Sequence, residues 1–300
     1  MLPPLPRLGF KTFPLSLRGA PATWQSRPTK FLRQRLGALD RHGLRPRDDG
    51  FSLVELSIVL VILGLLVGGV LSGQSLIRAA ELRSIPNDAF KFQAAVFTFR
   101  DKYFALPGDM TNATQFWGFA AGTTGNDATC KNAASSDART CNGNGNGIID
   151  ESNGAYEEMR FWQHLASAGL VEGSYNGIGS GGGTSYAGTA PSSKANRNAY
   201  YVPYGYGFSP ATTDSFGGNW GNTMELYEQT SAWLSLKPEE AWNVDQKLDD
   251  GIPYTGKIWS HKGDTTYPCT SRAGNITDAG AVYNLSHTGK SCYFIFVQMF

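Results

Sequence analysis

An uninterrupted apolar run is the strongest pattern in the chain. Between Glu55 and Arg78 lie 22 uncharged residues, LSIVLVILGLLVGGVLSGQSLI. A helix that crosses the hydrocarbon core of a bilayer needs about 20 predominantly apolar residues. The run therefore predicts a membrane-spanning helix. Two GxxxG spacings within it would let a second helix approach closely, at Gly64/Gly68 and Gly69/Gly73.

Helical periodicity continues beyond the apolar run. Apolar residues recur at alternating intervals of four and three, at Ile85, Ala89, Phe92, Val96, Phe99 and Tyr103. Such spacing is one face of an amphipathic helix. Pro86 predicts a kink, because proline cannot donate a backbone hydrogen bond, and Leu106-Pro107-Gly108 ends the pattern. We therefore predict one long helix over about 52–104, with its second half packed on a C-terminal sheet.

The rest of the chain predicts shorter elements and an α+β fold. Helices are expected over 155–168 and from Pro238 to about Leu248, where proline and two glutamates suit a helix start. Aromatic-rich segments between turn residues predict strands, at Tyr200–Phe208, Asn222–Tyr227, Gly256–Ser260 and Cys292–Met299. The last of these should be a central strand, because so apolar a strand left at an edge would promote aggregation.

The charge distribution indicates that the apolar run serves as an export signal. Residues 1–50 hold ten Lys/Arg and three acids, whereas the remaining 250 residues hold 16 Lys/Arg and 22 acids. Positive charge beside an apolar segment stays in the cytoplasm, so the C-terminal bulk is expected outside it. The net charge of the whole chain is only +1, which excludes recruitment of nucleic acid by a global positive field.

Glu55 lies near the start of the apolar segment, where an acid is unexpected. A carboxylate costs about 2.5–3.5 kcal/mol near the centre of a bilayer and less near its interface. A residue of this kind is expected to have a function and a partner. Gly50 and Phe51 precede it, at the junction between the basic segment and the apolar run.

Residues 50–66, GFSLVELSIVLVILGLL, resemble the processing signal of type IV pilins and type II secretion pseudopilins. The resemblance rests on glycine, an aromatic residue, glutamate and the apolar run at fixed spacing. It implies that a prepilin peptidase cleaves after Gly50 and methylates Phe51 as the new N-terminus. It also implies that Glu55 is the assembly glutamate, which pairs with the Phe51 amine of a neighbouring subunit.

The same resemblance implies a fold and a location. The fold would be pilin-like α+β, with the long N-terminal helix packed on an antiparallel C-terminal sheet. Residues 1–50 would be a leader that is removed, 51–77 a transmembrane assembly helix and 78–300 the periplasmic or extracellular domain. The precursor would cross the bacterial inner membrane once with its C-terminus outside the cytoplasm, and the mature protein would join a periplasmic or cell-surface filament.

The implied function is that of a structural subunit and not of an enzyme. Its partners would be the prepilin peptidase, like or related pilin subunits, and an inner-membrane assembly platform. A type IV pilus and a secretion pseudopilus are nearly equal contenders. The alternative is a signal-anchored exported binding protein or hydrolase that does not polymerise. The cleavage site argues against that alternative, and the sequence contains no G-x-S-x-G, HExxH or Walker signature.

Two segments carry oxygen side chains that suit calcium, the only cofactor indicated. Asn142–Asp150 alternates oxygen side chains before a glycine, as in a calcium loop, but its leading residues are amides and Asn-Gly pairs also form ordinary turns. Asp245, Asp249 and Asp250 are the better candidates, because hard cations prefer carboxylates. Some major pseudopilins bind calcium in a C-terminal loop. A solvated turn after a helix is the favoured interpretation of these acids, and calcium is the alternative.

Four cysteines lie in the predicted exported part: Cys130, Cys141, Cys269 and Cys292. Four cysteines allow three pairings. Local pairing is the simplest, with one bridge in the loop before the Asn-Gly segment and the other at the last strand. A bridged C-terminal loop is also common in type IV pilins. Zinc is disfavoured, because the chain has no CxxC spacing and only four histidines.

Overall fold

The computed structural model describes residues 51–120, 139–149, 157–178, 186–228 and 234–300, with backbone only at 206–209 and 227. The predicted leader 1–50 lies outside these residues. The chain divides into two compact units, Met1–Leu56 and Ser57–Phe300. The first unit contributes the described residues 51–56, and the second contains the sheet and most of the helical structure.

Helix α1 spans Leu53–Tyr103, in agreement with the predicted helix over 52–104. It continues through Pro86, which is buried, so the proline does not end it. The helix stops where Phe104 adopts a left-handed backbone with a φ of 54°. The Phe104 N–H still donates to the Arg100 carbonyl at 2.8 Å, so Phe104 forms the left-handed cap at which glycine is usual.

The two halves of α1 have different surroundings. Residues 51–77 are exposed apart from the partly covered Gly73, and their most apolar 18-residue window has a mean hydropathy of 2.6. Within the described residues, α1 is the one helix long and apolar enough to cross a membrane. The second half buries a stripe along one face, made of Ile85, Pro86, Ala89, Phe92, Ala95, Val96 and Phe99. This stripe contains most of the predicted amphipathic face.

The predicted strands form one four-stranded sheet. Its strands are β1 (Ala199–Ser209), β2 (Gly218–Glu228), β3 (Ile258–Ser260) and β4 (Phe294–Phe296). The spatial order is β1-β2-β4-β3, and every neighbouring pair is antiparallel. Strand β4 is central and fully buried, as expected for an aromatic-rich strand. It is shorter than predicted, because Gln298 takes a φ of 49° that interrupts the extended backbone.

Phe92 connects the long helix to both of the layers that it packs against. Within the described residues the other helices are α2 (Ala113–Trp117), α3 (Glu157–Ser167) and α4 (Pro238–Leu248). The Phe92 ring meets Trp162 of α3 at 4.7 Å and Tyr201 of β1 at 5.1 Å between centroids, both edge-on. Trp162 Nε1 donates to the Tyr201 carbonyl at 2.8 Å. The prediction of a pilin-like α+β fold, with α1 packed on an antiparallel sheet, is confirmed.

Helix α3 is buried on more than its apolar face. Phe161, Trp162 and Leu165 are fully buried. Polar residues on the same helix are also buried, namely Glu157, Glu158, Arg160, Gln163 and His164. The sequence pattern does not reveal this burial, because the segments that cover the polar face of α3 come from distant parts of the chain.

His164 shows how one buried polar side chain of α3 is satisfied. Its Nδ1 accepts a hydrogen bond from the Gly108 N–H at 2.9 Å. Its Nε2 lies 3.0 Å from Thr140 Oγ1 and 3.2 Å from the Cys141 carbonyl. The ring is therefore neutral with its proton on Nε2. Burial, together with the charge of Arg160, lowers the pKa of His164 to about 3.

We expect acidification to destabilise the fold through His164. In the unfolded chain its imidazole takes up a proton near pH 6.5, whereas the folded chain accepts that proton only near pH 3. The stability contributed by the neutral ring is complete above pH 6.5 and is lost as the pH falls toward 3, at up to about 1.4 kcal/mol per pH unit. Chemical unfolding from about pH 7 to about pH 4.5 measures this slope.

His164→Asn is the matched variant, because asparagine retains an acceptor for the Gly108 N–H but does not titrate. Burial also lowers the pKa of His261, to about 4, but His261 is present in both proteins, so its contribution cancels. We expect the variant to be less stable at neutral pH and to lose less stability in acid. Parallel curves for the two proteins would contradict the assignment.

Candidate functional site

The predicted assembly glutamate caps the first turn of α1. The Ser52 N–H donates to Glu55 Oε2 at 3.0 Å, and the Val54 N–H donates to Ser52 Oγ at 3.3 Å. These bonds satisfy N–H groups that have no partner inside a helix, in the manner of a capping box. Sequence reasoning missed Ser52, although the S-x-x-E spacing before an apolar run was the available signal. Phe51 is exposed, and Gly50 lies outside the described residues.

The apolar half of α1 has a bare surface. Apart from the adjacent residues and the helix's own backbone, a Cβ atom added at any of its four glycines would meet no atom within 4 Å, at Gly64, Gly68, Gly69 and Gly73. The close approach that GxxxG spacing permits therefore has no partner within the described part of the chain. A bilayer or other polypeptide chains are needed to remove this surface from water.

Arg78 fixes the end of the apolar run to α4. Its Nε donates to Glu240 Oε1 at 2.6 Å and its Nη2 to Glu240 Oε2 at 2.9 Å. Its Nη1 donates to Glu81 at 3.1 Å and also to the Ala195 carbonyl. Burial alone would raise the pKa of Glu240, but hydrogen bonds from Arg78 and the Lys237 backbone hold it below its ordinary value.

The three predicted calcium ligands lie together at the end of α4. Oxygens of Asp245, Asp249 and Asp250 lie within 4.8 Å of one another. Asp245 is fully buried, and its Oδ2 accepts the Tyr283 hydroxyl at 2.8 Å. Its Oδ1 is buried without a hydrogen-bond partner. Burial raises the pKa of Asp245 to about 7, with the charges of Asp250 and Asp249 adding to the effect and the Tyr283 hydroxyl opposing it.

The other two carboxylates also shape the turn that follows α4. Asp249 Oδ2 accepts the N–H groups of Lys257 and Ile258, the latter at 3.0 Å. Asp250 Oδ1 accepts the Ile252 N–H at 2.8 Å. These bonds support the favoured interpretation of a turn. The open Asp245 oxygen and the three clustered carboxylates nevertheless fit a hard cation, which binds carboxylate oxygens.

Backbone N–H groups of the Asn-Gly segment surround the carboxylate of Asp109. The Asp109 carboxylate accepts N–H groups from Gly145 at 2.6 Å, Asn146 at 3.0 Å and Gly147 at 2.8 Å. The amide oxygens of Asn142, Asn144 and Asn146 also accept backbone N–H groups, from Thr114, Asn146 and Ile148 respectively. Within residues 142–149 these hydrogen bonds favour the ordinary turn over the calcium loop; Asp150 lies outside the described residues.

Sequence reasoning missed Asp109 as the residue that organises this loop. Gly145 and Gly147 have φ angles of 75° and 82°, which turn successive N–H groups toward one point. Concave backbone segments of this kind bind anions. The repeated Asn-Gly pairs were the available signal for the loop, but the acid lies more than 30 residues earlier, so local pattern could not identify it.

The C-terminal cysteines are bridged. Cys269 and Cys292 form a disulfide across 23 residues of sequence, as the local pairing predicts. Backbone hydrogen bonds at 3.0 Å in both directions join Cys292 to Leu236. The bridge therefore holds the loop that contains Cys269 beside the segment that leads into β4. Cys141 is also in a disulfide, and Cys130 lies outside the described residues.

One comparison with known proteins is informative. Residues 45–71 match the family model of the prokaryotic N-terminal methylation motif. The match includes Gly50, Phe51 and Glu55, together with the first part of the exposed apolar helix. No curated protein and no solved structure matches the chain.

Asp109→Asn is expected to destabilise the fold by about 2 kcal/mol, because the asparagine amide would point a donor at backbone N–H donors. The carboxylate uses both oxygens here, Oδ1 for two N–H groups and Oδ2 for the Gly147 N–H. Thermal or urea unfolding of the two proteins measures the difference.

Asp264→Asn is the matched control. Asp264 accepts the Thr266 and Tyr267 N–H groups through Oδ1 alone, both at 2.7 Å. Asparagine supplies the same oxygen, so this variant should change stability by less than about 0.5 kcal/mol. Equal effects at the two positions would contradict the anion-binding description of the Asn-Gly loop.

Proposed function

Because residues 45–71 carry the N-terminal methylation motif, the signal of type IV pilins and pseudopilins, we propose that the chain is a structural subunit of a type IV pilus or pseudopilus-like filament. The motif and the apolar helix fit an exported, membrane-anchored precursor, and they favour a structural subunit over an enzyme. In this proposal prepilin peptidase removes 1–50 by cleaving after Gly50 and methylates Phe51. The domain at 78–300 is then displayed outside the cytoplasm.

The observation that carries the proposal is the uncovered apolar surface at 57–77. Burying one Leu, Ile, Val or Phe side chain is worth about 1.5–3 kcal/mol, and this segment exposes more than a dozen such side chains. A bilayer covers them in the precursor. Once a subunit leaves the bilayer, only other apolar helices offer equivalent cover, so the segment suits a filament core.

Glu55 supplies the specificity of this assembly. Cleavage would give Phe51 a positive amine, which is costly in an apolar core unless an anion meets it. The Glu55 carboxylate of a neighbouring subunit is such an anion, and it would exchange its bond to the Ser52 N–H for a charged partner. A contact between different surfaces of identical subunits, repeated without closing, generates a helical filament.

The proposed location agrees with the chemistry of the C-terminal domain. Disulfides persist outside the reducing cytoplasm, and the Cys269–Cys292 bridge lies in the domain expected there. An inner-membrane assembly platform would therefore act on a precursor whose C-terminus is already outside. A bridged C-terminal loop is common in type IV pilins, whereas an acidic turn after a short helix is similar to pseudopilins, so both filament types are retained.

Glu55→Gln is expected to reduce filaments, or secretion by a pseudopilus, to less than about a tenth of the wild-type level in the native host. Glutamine retains the capping acceptor at this position but carries no charge for the Phe51 amine, and an unpaired buried charge costs about 3–5 kcal/mol. Sheared filaments are quantified by immunoblot and electron microscopy.

Ser52→Ala is the matched control, because it removes the cap at a cost of about 1 kcal/mol and leaves the charge. It should still assemble. Wild-type assembly by Glu55→Gln would overturn the charge-pairing role. The intact mass of each protein should begin at methylated Phe51; a wild-type chain that retains residues before Phe51 would instead support a signal-anchored exported protein that does not polymerise.

We also propose that Asp245, Asp249 and Asp250 bind calcium. The unpartnered Asp245 Oδ1 supports this proposal, because a cation would satisfy it and offset the repulsion among three carboxylates. A bound ion would hold the end of α4 against the turn that leads into β3. Calcium would then stabilise the fold in proportion to its occupancy.

Calcium at about 100 times its Kd should stabilise the wild-type protein by about 2.7 kcal/mol, seen as a rise in Tm over the chelated sample. Asp245→Asn should abolish this rise, and it should not lower the Tm of the chelated protein, because it removes an uncompensated buried charge. Asp264→Asn should respond to calcium as the wild type does. A wild-type Tm indifferent to millimolar calcium would overturn the proposal.

A further inference from the structure

A groove between α1 and α4 begins where the apolar run ends. It has a volume of about 430 Å³. Its α1 wall carries residues spaced three or four apart, so they share one helix face, from Ser75 through Leu82 to Pro86. Its α4 wall includes Val244 and Leu248. The floor of the groove is therefore apolar, and it is continuous with the exposed apolar surface of α1.

Four cations line this groove: Arg78, Arg83, Lys237 and Lys247. Two carboxylates accompany them. Glu240 is occupied by the bidentate pair with Arg78 and by the Lys237 N–H, which leaves Glu239 as the one acid facing the remaining cations. Arg83 and Lys247 are exposed, and neither has an ion pair or hydrogen bond through its side chain within the described part of the chain. The rim is thus positively charged.

With residues 56–77 across a bilayer, the groove would lie near the depth of the lipid headgroups. Arg78 immediately follows the apolar run, and Arg83 lies six residues beyond Ile77, or about 9 Å along the helix axis. The headgroup layer on each side of a bilayer is roughly 5–8 Å thick, and a long arginine side chain can reach back toward it. A helix that crosses the membrane through 56–77 therefore places these cations beside lipid phosphates.

We propose that the α1–α4 groove binds the phosphate of an anionic phospholipid, with the cationic rim on the headgroup and the apolar floor against the glycerol and the upper acyl chains. The inference rests on the membrane insertion in the proposed function. The combination of apolar floor, unpaired cations and headgroup depth favours a lipid over a free anion, which needs no apolar floor. Bound lipid would fix the angle between the membrane helix and the domain before the subunit leaves the bilayer.

The test uses the full chain in a non-ionic detergent and counts bound lipid by native mass spectrometry. Phosphatidylglycerol is the probe and phosphatidylcholine the comparison. Arg83→Gln/Lys247→Gln should weaken phosphatidylglycerol binding roughly tenfold to thirtyfold, since each cation near a membrane surface contributes about a fivefold factor. Both side chains are exposed, so the variant should fold, and an unchanged Tm confirms this.

The double variant Arg100→Gln/Lys102→Gln is the matched control, because it also removes one arginine and one lysine. These two residues lie near the other end of α1, with Arg100 about 26 Å from Arg83 along the helix. It should bind phosphatidylglycerol as the wild type does. Equal losses in the two variants, or no preference of the wild type for phosphatidylglycerol over phosphatidylcholine, would overturn the proposal. Displacement of the lipid by an equal concentration of inorganic phosphate would instead indicate a soluble-anion site and also overturn it.

Filament formation by the same variants separates this inference from the proposed function. Lipid binding is measured on single subunits in detergent, so it does not depend on polymerisation. A chain that binds phosphatidylglycerol selectively but never assembles would retain the lipid site and lose the filament proposal. If the Arg83/Lys247 variant binds lipid normally but fails to assemble, the groove contacts a neighbouring subunit, and the lipid assignment is overturned.

Discussion

Water cannot solvate the first half of α1 at low cost, and the rest of the molecule is arranged around that constraint. Residues 57–77 expose an apolar surface that no described part of the chain covers. The same helix continues without a break into the core of the C-terminal domain. One continuous helix therefore joins a segment that needs a membrane or other helices to a domain that is satisfied in water.

The junction between these two environments is defined by charge. Arg78 ends the apolar run, and its bidentate pair with Glu240 ties α1 to α4. Seven residues further on, buried Ile85 begins the contact with the sheet layer, where its carbonyl accepts the Tyr201 hydroxyl, and buried Pro86 follows it. Proline removes a backbone donor but leaves α1 continuous, because packing on both sides of it holds the helix. The change from exposed to buried surface therefore occurs within about two helical turns.

Beyond the apolar contacts, the domain depends on buried polar groups that receive their partners from distant segments. The Asp109 carboxylate accepts three N–H groups from the Asn-Gly loop. The His164 ring accepts the N–H of Gly108, the residue before Asp109. The Asp109–His164 region therefore orients the end of α1, the loop and α3 together. Burial of these groups is tolerated because donors and acceptors are matched, and an unmatched group would cost several kcal/mol.

The sequence alone determined the elements whose causes are local. Periodicity located α1 almost to the residue, and the proline and glutamates of a helix start did the same for α4. The aromatic-rich segments located the strands, and the spacing of Gly50, Phe51 and Glu55 identified the motif. Only the tertiary structure decided that the polar residues of α3 are buried with its apolar ones, that Asp109 fills the Asn-Gly loop, and that Asp245 keeps an unpartnered oxygen beside two other acids. These features depend on contacts between segments far apart in the chain, and hydrophobic periodicity reports the burial of a face without naming what covers it.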